Sequence, residues 1–239
     1  MHIKHWKVFA IALFMFILGT AATSWAAAPV IEWSRTYGGS GSDSANAIQQ
    51  TSDGGYIFVG SSNSNDGDVS GNRGGWDGWV VRLDAEGDII WQRSLGGSGS
   101  DGFVSVQQTM EGGFIVAGDS SSTDGDVSEN RGDRDGWVVK LDTDGEIEWQ
   151  RTFGGSREDR INDIQQTTDG GFVFTGHTFS NDGDISKYFF DTSELLLRIM
   201  LTLFGIQPTS EKNPDFSPDI PNSDAWIVRL DTEGEIVWQ

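Results

Sequence analysis

The residues in this chain best suited to chemistry are pairs of aspartates two positions apart. Asp66-Gly67-Asp68, Asp124-Gly125-Asp126 and Asp182-Gly183-Asp184 each end in Val-Ser or Ile-Ser, and the copies recur at a constant spacing of 58 residues. A glycine between two aspartates lets the chain bend, so that both carboxylates converge. Two such oxygen donors, with a serine hydroxyl and backbone carbonyls, suit a hard cation such as calcium, which takes about six to eight oxygens. The sequence therefore names Asp66, Asp68, Asp124, Asp126, Asp182 and Asp184 as candidate calcium ligands. The competing reading is an acidic turn in which Asp and Gly serve geometry alone. The distant glutamate that completes an EF-hand loop is absent.

Other chemistries find little material. The chain contains no cysteine, which removes disulfides, thiolate metal sites and thiol nucleophiles. Of three histidines, His2 and His5 lie in the N-terminal segment discussed below, leaving His177. Its equivalents one and two periods earlier are Asp119 and Ser61, so it reads as a loop-end polar residue. Hydrolysis by paired carboxylates needs one acid with a raised pKa beside one that stays ionised. Here the acids recur in polar turns, so a carboxylate-based hydrolase is the least favoured function and no catalytic or cofactor-binding residue is named. Arg131-Gly132-Asp133 spells an adhesion tripeptide, but its counterpart Arg73-Gly74-Gly75 lacks the aspartate. Trp76, in a Gly-rich loop, is placed to stack on a sugar ring or to pack locally.

The elements that must position these residues follow from the tryptophans. Trp33, Trp91 and Trp149 are 58 residues apart, and Trp238 follows 89 later, an excess of 31 that marks an insertion. The repeats are 33–90, 91–148 and 149–237, within a repeat domain spanning 30–239. Periods of this length belong to propellers and related arrays, whose units bury their faces only against neighbours. Each unit reads as four strands. The first is Trp33 to Tyr37, echoed by Trp91 to Leu95 and Trp149 to Phe153. The second is Ala45 to Thr51, with copies at Phe103 to Thr109 and Ile161 to Thr167. An acidic-Gly-Gly turn then leads into Tyr56 to Gly60, Phe114 to Gly118 and Phe172 to Gly176. The fourth strand is Trp79 to Leu83, Trp137 to Leu141 and Trp226 to Leu230. The third and fourth are nearly continuous apolar runs, as expected of strands covered on both faces, whereas the second alternates and belongs nearer solvent. Four strands per unit predict an all-β, β-propeller-type array of four-stranded antiparallel blades.

At this point a resemblance becomes specific. Gln166-Thr167-Thr168-Asp169-Gly170-Gly171-Phe172-Val173-Phe174-Thr175-Gly176 and the run from Asp135 to Trp149 resemble the repeats of secreted bacterial and archaeal β-propeller proteins, the delta-sixty-like repeat. The tail Leu-Asp-x-x-Gly-x-x-x-Trp also resembles the docking element of quinoprotein-type propellers, although that element carries one more residue between Asp and Gly. The resemblance covers residues 30–186 and 222–239. It implies a propeller at the cell surface or outside the cell, and it brings no catalytic residue to this chain. Propellers close with about four to eight blades, so three units are expected either to belong to a longer array or to close by self-association through open blade edges.

Two segments stand apart. Residues 1–26 begin with Lys4 and Lys7, continue through an apolar run from Val8 to Gly19, and end in Ser24-Trp25-Ala26. That is the pattern of a signal peptide cleaved after Ala26, with an uncleaved anchor as the alternative. The insertion occupies 187–221. Its middle, 194–204, is predicted to be a helix, with Asp191 and Glu194 at capping-box spacing and Gly205 and Pro208 beyond its end. It is apolar nearly all round and too short to span a bilayer. It reads as a plug against the blade, a docking helix for a partner or membrane interface, or an artefact of the gene.

Charge narrows the partners. Taking Lys4 and Lys7 from a chain of formal net charge −20 leaves −22, a surface that repels nucleic acid and anionic lipid. Together these readings predict a non-enzymatic, secreted, cell-surface or periplasmic module that meets an unidentified protein or glycan. The alternative is a purely structural segment of a surface array. No transmembrane span is expected in the mature chain, and the cofactor expectation is calcium or none.

Overall fold

The computed structural model describes residues 30–185 and 223–239. The predicted signal peptide and the predicted helix at 194–204 therefore lie outside the described residues. Residues 30–34 carry no strand and are exposed.

From Arg35 onward the described residues are all-β, with no α-helix among them. Twelve strands form three four-stranded antiparallel sheets, the blades of a propeller-type array. The first sheet orders β1 (Asp43–Gln50), β2 (Tyr56–Ser62), β3 (Asp77–Leu83) and β4 (Ile89–Leu95). The second orders β5 (Asp101–Gln108), β6 (Phe114–Ser120), β7 (Asp135–Leu141) and β8 (Ile147–Phe153). The third contains β9 (Asp159–Gln166), β10 (Phe172–Thr178), β11 (Asp224–Leu230) and β12 (Ile236–Trp238).

The phase of the sheets differs from the tryptophan-to-tryptophan repeat. Trp91, Trp149 and Trp238 lie in β4, β8 and β12, so each tryptophan strand closes the sheet that precedes it. The sheets thus run 43–95, 101–153 and 159–238, and residues 33–37 carry no strand. The reason is local. The Asp-x-x-Gly turn, as in Asp142-Thr143-Asp144-Gly145, folds the chain straight back, and Asp142 accepts the N–H groups of Asp144 and Glu146 at 2.9 and 2.8 Å. A hairpin therefore ties each tryptophan strand to the strand before it.

Burial follows the apolar pattern. Every residue of β3 and β6 is buried, and of β7 all but Lys140, whereas β5 alternates. The central strands of the second sheet are sandwiched, whereas β10 and β11 of the third expose alternate residues, and β1, β5 and β9 are sheet edges. One core joins Ile57, Val59 and Val80 of the first sheet to Phe103, Val116 and Trp137 of the second. Another joins Ile115 and Val138 of the second sheet to Ile161, Phe172 and Trp226 of the third. Trp79, Trp137 and Trp226 are buried, and each donates its indole N–H to a glutamine, Gln92, Gln150 or Gln239, at 3.1, 2.9 and 3.0 Å.

Two glycine positions are dictated by geometry. In the first hairpin Gly54 takes φ 91°, as do its copies Gly112 and Gly170 at 97° and 89°. That region disfavours any residue with a Cβ. Gly60, Gly118 and Gly176 face irregularities in the neighbouring edge strand, and a Cβ there would collide with the carbonyls of Ser44, Gly102 and Arg160. The insertion does not disturb the third sheet. Thr178 pairs with Asp224 and Phe172 with Leu230, the register of Ser120 with Asp135 and Phe114 with Leu141.

Candidate functional site

The seams between successive sheets gather most of the polar side chains whose placement is not trivial. Each seam begins with an aspartate at the head of an edge strand. Asp101 accepts the N–H of Gly97 at 2.9 Å and the hydroxyls of Ser120 and, at 2.7 Å, Ser122. Asp159 does the same with Gly155 at 2.8 Å, Thr178, and Ser180 at 2.7 Å. Asp43 repeats the arrangement with Gly39, Ser62 and Ser64. Asp101 and Asp159 are buried, and so many donors offset the cost of burying a charge. Sequence reasoning did not single out this knot. The signal was a second Gly-x-x-x-Asp period, Gly39/Asp43, Gly97/Asp101 and Gly155/Asp159, running beside the Asp-Gly-Asp one.

The Asp-Gly-Asp loops fold onto the same Gly-Gly-Ser segments. Asp66, Asp124 and Asp182 accept the N–H groups of Ser40, Ser98 and Ser156, each at 2.7 Å. Asp68, Asp126 and Asp184 accept those of Gly38, Gly96 and Gly154 at 3.1, 3.2 and 3.4 Å. Asp126 and Asp184 also pair with Arg73 and Arg131, which reach across from the preceding sheet. Each of the six carboxylates thus accepts a backbone N–H, and Asp126 and Asp184 meet a guanidinium as well. These contacts give the like charges of each loop hydrogen-bond donors from within the chain. Among the described residues no group of three or more His, Asp or Glu side chains is arranged to hold a metal ion.

Two further aspartates stand at the seams. Asp77 and Asp135 are fully buried, and each accepts one backbone N–H, from Arg73 and Arg131, at 2.9 Å. The second oxygen of each, Oδ1, has no hydrogen-bond partner. Burial pushes the Asp135 carboxyl up to about 6, with the nearby Asp159 and Asp184 charges adding to the rise against the opposing effect of Arg131. Burial raises Asp77 in the same way, with Asp101 and Asp126 as its charged neighbours. Neither acid is open to solvent.

The first seam opens into a cleft of about 480 Å³ lined by Ser70, Arg73, Gln92, Arg93, Asp126 and Glu146 among others. Arg93 donates to the Asp144 carbonyl and to the Glu146 carboxylate, both at 2.7 Å, and Gln92 donates to the Ser70 hydroxyl at 2.6 Å. Two cations and two carboxylates make the lining nearly neutral in a strongly acidic protein. Beside it Trp91 rests on Gly145 and donates its indole N–H to the Thr143 carbonyl at 3.1 Å.

The remaining sequence candidates are placed as follows. Within Arg131-Gly132-Asp133, Arg131 is engaged by Asp184 and Glu129, while Asp133 is exposed. Trp76 is half-buried and forms a parallel bridge with Ser100, its carbonyl accepting the Asp101 N–H at 2.6 Å. His177 is half-buried beside Phe179, their rings 6.0 Å apart and edge-on.

No family model matches the chain, and no curated protein is similar to it. Among solved structures, a protein of unknown function from Bacteroides caccae is similar at 13% identity, over 82% of this chain and 80% of that one. The TM-score is 0.23, too low for the likeness to carry an argument.

Proposed function

We propose that the chain is a non-enzymatic binding module, secreted or displayed at the cell surface, that takes a glycan in the cleft at its first seam. The observation that carries this reading is the lining of that cleft. Ser70, Arg73, Gln92, Arg93, Asp126 and Glu146 offer donors and acceptors in nearly balanced charge, the chemistry that matches sugar hydroxyls. A volume of about 480 Å³ falls in the ordinary range for small-ligand sites. Secretion is supported by the basic start, the apolar run and the small-x-small end of residues 1–26. The burial of Asp77 and Asp135 supports a binding role over hydrolysis, because the acids with raised pKa are closed off from any substrate. The net charge of −20 argues against nucleic acid and anionic lipid.

A glycan array tests the reading. The chain should retain a subset of neutral oligosaccharides, and Arg93→Ala and Gln92→Ala should each weaken retention at least tenfold without unfolding the protein. Absence of binding to any glycan, with a protein retained in a pull-down, would move the ligand to the protein class. A purely structural role is the second reading. It is favoured by the likeness of the two seams, where Arg73–Asp126 and Arg93–Glu146 are repeated as Arg131–Asp184 and Arg151–Glu235.

A further inference from the structure

The two seams share a code, and the outer faces of the first and third sheets carry its unused halves. In the first seam Gln49 accepts the Gln108 N–H at 2.5 Å, and Gln108 accepts the Ser52 N–H at 2.8 Å. In the second, Gln107 accepts the Gln166 N–H at 2.5 Å, and Gln166 accepts the Met110 N–H at 2.8 Å. The next members of the two series are Gln165 on the third sheet and Gln50 on the first. Gln50 is already posed for the role: its amide donates to the hairpin carbonyl of Gly54 at 3.4 Å, as Gln108 and Gln166 donate to Gly112 and Gly170 at 3.3 Å.

The apolar positions extend the code. Val80 and Val138 are wholly buried by the following sheet, whereas their equivalent on the third sheet, Ile227, is 51% exposed. Ile164 is 2% exposed against the preceding sheet, and its equivalent on the first, Ile48, is 62% exposed. Size is matched as well. The Phe103 ring lies so close to Gly78 that a Cβ there would come within 2.5 Å of it, and Ile161 crowds Gly136 at 2.8 Å. At the unused faces the large residue has become Ala45 and the glycine has become Ala225, both exposed. A smaller knob thus meets a shallower hole, as if the two faces were fitted to each other.

We propose that a second copy of this chain docks head to tail, its first sheet seated on the third sheet of its neighbour through a copy of the internal seam. Gln165 of one copy and Gln50 of the other supply the backbone clamps, Ile227 and Ile48 the apolar contact, and Ala225 and Ala45 the close approach. Two different faces meet, so the contact is heterologous and continues from copy to copy until it closes. The net charge of −20 opposes association, so added salt strengthens it.

The chain has no cysteine, which makes crosslinking a clean test. Ala45→Cys and Ala225→Cys, made in separate proteins and mixed under oxidising conditions, should form the mixed disulfide in clear excess over either homodimer. Light scattering on the unmodified chain should give a mass that is a multiple of the monomer and grows with salt. Ile227→Asp should return it to monomer with an unchanged melting temperature, and Ile48→Asp should do the same as an independent check on the other face. A monomer at every concentration and salt overturns the proposal. So does association that survives both substitutions, or that leaves the cysteine pair unlinked, since the copies then meet through another surface.

Discussion

Replacing Asp135 by asparagine should make the protein more stable at neutral pH and should remove a specific dependence of stability on acid. Asp135 is wholly buried, and only one of its oxygens is engaged, by the Arg131 N–H. Its carboxyl is raised from an ordinary 3.8 to about 6, chiefly by burial. A carboxyl that holds its proton more tightly folded than unfolded favours the native state at low pH. That contribution is lost as pH rises from 3.8 towards 6, because the native protein must then bury a charge that the unfolded chain leaves in water. The gap between 3.8 and about 6 corresponds to about 3 kcal/mol at pH 7. Asparagine keeps an oxygen for the Arg131 N–H and carries no charge. Urea unfolding of both proteins across pH 4 to 7.5 measures the effect. The variant should match the wild type near pH 4 and exceed it by up to about 3 kcal/mol above pH 6.5. A difference that is constant across this range, or a variant less stable at pH 7, would refute the reasoning. It would mean that the orphan oxygen has a compensating partner.

Further outcomes follow from the same contacts. Gly118→Ala, which drives a Cβ into the Gly102 carbonyl, should cost about 1–3 kcal/mol in urea unfolding, whereas Gly112→Ala, strained in φ but open in space, should cost less. Because N–H groups and guanidinium ions already compensate the Asp-Gly-Asp carboxylates, melting in millimolar calcium and in chelator should coincide; a higher melting temperature in calcium would restore the cation reading. Deleting residues 188–217 should leave the third sheet intact by circular dichroism and melting, since β10 and β11 keep the register of β6 and β7; loss of cooperative unfolding would show that the insertion is part of the core.

The sequence by itself determined the repeat, the all-β class, the position of each hairpin and the two central strands of every blade. These are local matters. An Asp-Gly-Gly turn needs a positive φ wherever it occurs, and the run Trp137-Val138-Val139 has no polar face to show to water. Even the insertion was legible, because an added segment between paired strands leaves the period readable on both sides. Tertiary structure alone decided the rest. Which apolar residues of one sheet meet those of the next, as Val80 meets Phe103, is not revealed by a repeat counted from any starting point. That the Gly-Gly-Ser segment, about thirty residues away in the chain, supplies N–H groups to the Asp-Gly-Asp carboxylates is visible only in the folded chain. Asp101, Asp135 and Asp159 look like turn acids until the sheets stack and bury them. The charge of an aspartate is written in the sequence, but its cost depends on which donors and how much water the packed sheets leave around it.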